Sequence, residues 1–293
     1  MTDHPDSEAL GDALHALADC VQGALANAAL WENAKSAYAA DRQSIVLEAP
    51  NWPVGVIERM TFDSSRFVSL ICRHVHSVAA LVHQREMYVS AWPILRAQLE
   101  AAGRLTWILE PHDSGVGLTA KRRAARFFME QLASACYHRE ALKGLKSKYA
   151  SEAKAVRVHR ANEIEWLFDT SLTWSGVGSE SSWKIGDDSY KSIAAGAQLF
   201  ATHLLPDLGG VYGSLSGYSH PSLRFLEDLL VESADGDMRR LNWVSSDELT
   251  SKQCLYSATI AYRAATMFCS YVGGPQDQLE TAFDAWELVG AIQ

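Results

Sequence analysis

Paired cysteines are missing from this chain. Its five thiols, Cys20, Cys72, Cys136, Cys254 and Cys269, fall singly and far apart. There is therefore no CxxC redox or zinc motif and no disulfide framework, and the thiols read as reduced core residues. Long apolar runs are missing too: none reaches the roughly 20 residues that a membrane-spanning helix needs. The opening MTDHPDSEALGDAL places acids where a signal peptide carries bases. The expected setting is the cytoplasm, with no membrane partner. Net positive charge is lacking as well. A formal charge of -9 opposes long-range capture of a polyanion by the surface as a whole, so nucleic acid would have to be met locally.

The familiar catalytic templates are also absent. The sequence holds no GxSxG elbow, P-loop, GxGxxG or HExxH. No Glu-x-x-His pair is present to build a carboxylate-bridged metal site inside a helical bundle. His74, His76 and His83 cluster in RHVHSVAALVHQRE. Only His76 and His83 share a helix face, and no carboxylate stands at ligand spacing, so no metal and no cofactor is expected.

Helical periodicity is abundant. Apolar residues recur at i, i+3 and i+4 almost throughout, without internal repeats or low-complexity stretches. The pattern predicts helices over 7–38, 62–86 and 89–109, then one long helical stretch over 118–169 broken near 151. Shorter helices follow over 189–205, 208–219 and 221–234, with a terminal pair over 247–272 and 276–291. Residues 43–57, with two prolines, read as a connection, and the Ser/Gly-rich 171–188 as a loop, either a lid or a plain linker. The fold class is all-α, an irregular multi-helix bundle forming one domain over 1–293. Its parts are an N-terminal helix to 40, a long-helix core over 41–170, and C-terminal helices over 189–293 packing on that core.

Two polar stripes interrupt the apolar pattern. RAQLEAAGR at 96–104 sets Arg96, Glu100 and Arg104 four residues apart inside a segment that is apolar around most of its circumference. A pair buried there persists only when hydrogen-bonded. It serves either as a structural lock between helices or as an anion-binding arginine oriented by Glu100. YGSLSGYSH at 212–220 repeats the spacing with Tyr212, Ser216 and His220. Pro221 disfavours helix at His220, which places the imidazole at a corner beside the positive end of the following helix. There it acts either as a general base or as a hydrogen-bonded corner residue. Gly209, Gly213 and Gly217 share one face of that helix, a signal of close backbone approach.

The Arg-x-x-x-Glu of Arg96 and Glu100, followed by Tyr-x-x-Leu-Ser-x-x-x-His at Tyr212, Leu215, Ser216 and His220, resembles bacterial helical proteins of the domain-of-unknown-function class 5677. More distantly it resembles AbiV-type phage-abortive-infection proteins and HEPN-like helical domains. The resemblance covers about 40–230. It implies that the two motifs face each other in the core, bringing Arg96, Glu100, Tyr212, Ser216 and His220 into one cluster. The chain departs from the HEPN nuclease pattern, since no histidine follows an arginine after four to six residues.

Between 121 and 160 eleven basic residues (Lys121, Arg122, Arg123, Arg126, Arg139, Lys143, Lys146, Lys148, Lys154, Arg157 and Arg160) meet three acids, a local net of +8 that leaves -17 for the rest. The segment reads as a phosphate-binding stripe or as a face neutralised by the acidic remainder or by a second copy in a homodimer. Two functions stay open. One is a binding or regulatory protein, in stress or phage defence, whose Arg96, Arg104 and Ser216 hold a small anionic or nucleotide ligand. The other is a metal-independent hydrolase of RNA or a phosphorylated metabolite, with His220 as base and Glu100 and Tyr212 beside it.

Overall fold

Helix α4 (Ala91–Leu109) forms the centre of the molecule, and its sequence explains why. From Gln98 to Leu109 every residue except Glu100 is buried, as expected of a helix apolar on all sides. Pro93 lies in its first turn, where a proline forfeits no intrahelical bond. The computed structural model describes residues 7–26, 34–84, 87, 90–110, 118–144, 148–175, 178–206, 210–219, 230–235, 238–243 and 247–291.

The architecture is all-α. Preceding α4 are α1 (Ser7–Ala26), α2 (Ala37–Glu48) and α3 (Val56–His83). After it come α5 (Ala120–Ala141), α6 (Lys148–Phe168), α7 (Ile193–Leu204), α8 (Val211–Ser219), α9 (Asp247–Val272) and α10 (Gln276–Trp286). Helices α3, α7, α8 and α9 all pack on α4, and α1 packs on α3 and α10. The stripe Leu10, Leu14, Leu17, Ala18 and Val21 of α1 is buried in this layer, each leucine contributing about 1.5–3 kcal/mol. Among the described residues no helix is long and apolar enough to cross a membrane.

Several boundaries differ from the expectation. The segment read as a connection over 43–57 is helical as far as Glu48, because Ser36 caps α2 by accepting from Ala39 N, and both prolines fall after the helix ends. In the 118–169 stretch α5 ends at Ala141, earlier than the break expected near Ser151, which lies inside α6. Just after α5, Gly144 takes φ +98°, the left-handed conformation that stops helices. The 171–188 segment is a packed strap containing a short 3-10 turn (Ser179–Ser182) and a hairpin of β1 (Lys184–Ile185) with β2 (Asp188–Ser189). Trp183, Ile185, Asp188 and Tyr190 along it are buried.

The helix expected over 221–234 is corrected where it is described. Residues 230–235 form β3 (Leu230–Asp235), paired antiparallel with β4 (Met238–Trp243) in the register Leu230↔Trp243 to Asp235↔Met238. The sequence between the strands is Gly236-Asp237, a hairpin dipeptide that outranks a weak helical period. Residues 221–229 lie outside the described residues.

Candidate ligand-binding site

The two stripes meet in part. Arg96 Nε donates to Glu100 Oε1 at 2.8 Å along α4, and Tyr212 OH on α8 donates to the same oxygen at 3.3 Å. The Arg96 guanidinium carbon lies 5.9 Å from the Tyr212 ring centre. The hydrogen bond from Arg96 to Glu100 raises the guanidinium pKa. Burial, with the Glu100 charge, raises that of Tyr212, which keeps the phenol a donor. Arg96 and Glu100 are each 24% exposed, so the pair sits at the rim of the α4–α8 contact rather than in the interior.

Arg104 leaves this group. Eight residues turn a helix about 80° beyond a whole number of turns, which directs Arg104 to a neighbouring flank. There its Nη1 donates to Glu130 Oε2 at 2.8 Å and its Nη2 to Lys191 O at 2.8 Å. Its guanidinium lies 5.5 Å from both the Trp107 and Tyr190 rings. Ser216 is half-buried one turn beyond Tyr212, and His220 lies outside the described residues. The close backbone approach is also elsewhere: a Cβ on Gly213 would meet nothing within 4 Å, whereas one on Gly103 would stand 2.4 Å from Ala197 N.

Four of the eleven bases of the 121–160 segment, Arg122, Arg123, Arg126 and Arg160, are paired with acids within the fold, while Lys121, Lys143, Lys148 and Lys154 are exposed. Arg122 and Arg126 both hold Asp188, at 2.8 Å and 2.6 Å, Arg126 also pairs with Glu110, and Arg160 pairs with Glu163 at 2.8 Å. Burial works against the Asp188 charge, but the hydrogen bonds from Arg122 and Arg126 and their charges prevail and lower its pKa. Arg123 is 3% exposed. Its Nη1 donates to both oxygens of Asp41, at 2.9 and 3.0 Å, and its Nε donates to Leu109 O at 3.0 Å. Tyr271 OH completes the set at 2.9 Å from Asp41 Oδ2. Burial raises the Asp41 pKa despite these partners.

This arrangement marks a site that sequence reasoning missed. A partly open cavity of about 290 Å³ lies where α2, α4, α5, α7 and α9 converge. Apolar side chains of Leu109, Leu204 and Met267 line it together with Arg123, Arg263 and Tyr271. Arg123 Nη2 takes part in none of the bonds above. Thr266, on the same wall, buries its Oγ1 without a hydrogen-bond partner among the described residues. At the rim Glu110 adopts φ +32°, held by its N–H to Thr106 O at 2.7 Å and by its carboxylate to Arg126. A non-glycine residue in that region stores about 1–3 kcal/mol, and such strain gathers at binding sites.

His15 on α1 meets His76 at 2.7 Å and stacks on His83 at 5.7 Å, while Asp19 and Asp12 stand 3.5 and 3.3 Å from the two α3 imidazoles. Among the described residues no group of three or more His, Cys, Asp or Glu side chains is disposed to hold a metal ion. Comparison of the chain with protein-family models, curated proteins and solved structures finds no match.

Proposed function

We propose that the chain is a helical binding or regulatory protein whose receptor site for a small anionic ligand is the cavity between α2, α4, α5, α7 and α9. The observation that carries this reading is a buried arginine, Arg123, lining a cavity with one amino group outside its internal bonds. A guanidinium fixed on three sides is pre-organised, so little conformational entropy is lost when an anion arrives. Arg263, exposed on α9 at the mouth, adds a second cation. In this reading the Arg96–Glu100–Tyr212 group is a brace that fixes α8 on α4.

The test is a thermal-melting screen of the full chain against small anions, nucleotides included. A ligand bound only by the folded state stabilises it by about 2.7 kcal/mol at one hundred times its Kd. At least one anion is expected to raise the midpoint, and Arg263→Glu is expected to abolish that shift while leaving the unliganded midpoint in place. A screen in which no anion moves the midpoint, or a shift that survives Arg263→Glu, removes the proposal.

A further inference from the structure

Resting on that reading, we infer that the ligand is a small aliphatic monocarboxylate, not a nucleotide or inorganic phosphate. Charge is the first argument. Arg123 is matched by Asp41 and Glu110 by Arg126, so among the described residues that line the cavity Arg263 is the cation that remains for an incoming group. One uncompensated positive charge neutralises one negative charge. A dianionic phosphate would keep a second charge next to Glu110 in a half-desolvated site, which costs free energy.

Size and lining give the second argument. About 290 Å³ lies at the lower edge of the range for ligand pockets, about 300–1,000 Å³, and is too small to enclose a nucleoside triphosphate. Leu109, Leu204, Met267 and Ala37 offer a surface that a free phosphate cannot use and that a short hydrocarbon chain would cover, each methylene it removes from water adding to affinity.

The donors give the third. A carboxylate is planar with two acceptor oxygens, and a guanidinium edge meets it with good geometry. Arg123 Nη2, outside the bonds that fix its guanidinium, and the Arg263 guanidinium are donors of the kind that a single carboxylate satisfies. The strained Glu110 lies at the same rim, so a bound chain would touch the last residue of α4's exit.

The experiment is a calorimetric titration of the full chain with four probes: hexanoate, hexylammonium, inorganic phosphate and AMP. Hexanoate is expected to bind saturably and the other three not at all. Leu204→Asp, which sets a like charge on the apolar wall of the cavity, is expected to weaken hexanoate at least tenfold. Arg263→Gln, at an exposed position that leaves folding intact, is expected to weaken it similarly.

Tight binding of AMP or phosphate that Arg263→Gln reduces would overturn the carboxylate class while preserving the anion-receptor reading. Hexylammonium binding as well as hexanoate would overturn it too, because the tail alone would then account for affinity. Hexanoate binding that both variants leave unchanged would overturn the assignment to this cavity. Failure of all anions in the titration would remove both readings.

Discussion

Gly103→Ala tests the tightest contact in the fold and sets two opposing effects against each other. In a helix interior alanine is favoured over glycine by about 1 kcal/mol, so propensity alone predicts stabilisation. The structure predicts the reverse. The new methyl would stand 2.4 Å from both Ala197 N and Gly196 C and 2.6 Å from Ala197 Cα, where ordinary contact begins at 3.4 Å. All three atoms belong to the α7 backbone, which cannot yield locally, so α4 and α7 must separate by about 1 Å. Overpacking of this kind costs about 1–3 kcal/mol. Separation also loosens the 2.8 Å bond from Arg104 Nη2 to Lys191 O, a charged hydrogen bond worth about 1.5–3 kcal/mol. The net expectation is a loss of roughly 2–4 kcal/mol, read as a lower urea midpoint with an unchanged slope. Gly213→Ala, in the exposed and open position on α8, is the control and is expected to gain about 0.5–1 kcal/mol. A Gly103→Ala protein that unfolds at or above the wild-type midpoint would show that α4 and α7 do not pack as described.

Three further outcomes follow from the ion pairs. Asp41→Ala leaves the Arg123 guanidinium, 3% exposed, without its carboxylate and is expected to cost about 3–5 kcal/mol; Asp41→Leu combined with Arg123→Met recovers most of this in the same denaturation assay, and a double variant as unstable as the single one would contradict the pairing. Glu100→Ala, in a pair 24% exposed on each side, is expected to cost about 1 kcal/mol or less; a loss several times larger would place the pair in the interior. For pH, the folded-state pKa of Asp188 lies below its ordinary 3.8, so its contribution is complete above that value and is lost as pH falls through the folded value. Asp41 is shifted upward and has the opposite sign, so Asp188→Asn should flatten the acid limb of stability below about pH 4 while Asp41→Asn should not.

Much of the helical framework was legible because it rests on local periodicity. The α9 boundaries, the start of α10, the buried α4 and the position of Pro93 follow from apolar spacing and proline geometry alone. The misses occur where a single residue or a distant partner decides. Ser36 starts α2 ahead of two prolines that seemed to forbid a helix nearby. Gly144 ends α5 although periodicity continues across it. The β3–β4 hairpin depends on pairing between two runs, either of which alone also fits a weak helical pattern. Glycine shows the same limit: three glycines on one face of 208–219 signalled a close approach, yet a lone Gly103 opposite Gly196 makes it.

The candidate site divides along the same line. Arg96 and Glu100 were found because they are one turn apart, and Tyr212 because a motif with the same spacing drew attention to it. The cavity has no such signature: its walls come from positions 37, 109–110, 123, 204 and 263–271, five elements with no common spacing. One signal did point there. In KRRAAR the neighbouring Arg122 and Arg123 lie about 100° apart on the helix, and the structure sends Arg122 to Asp188 and Arg123 to Asp41. Their acids come from 66 positions downstream and 82 positions upstream. Part of the net +8 of the 121–160 segment in a chain of net -9 is such long-range pairing, because three bases gathered at the start of α5 are balanced by acids delivered from other elements. For Arg122, Arg123 and Arg126, on a helix that is also buried, the excess of one sign is a demand for distant counter-charges. One of those buried bases, Arg123, retains an amino group outside its pairs, and on that donor the proposed anion site rests.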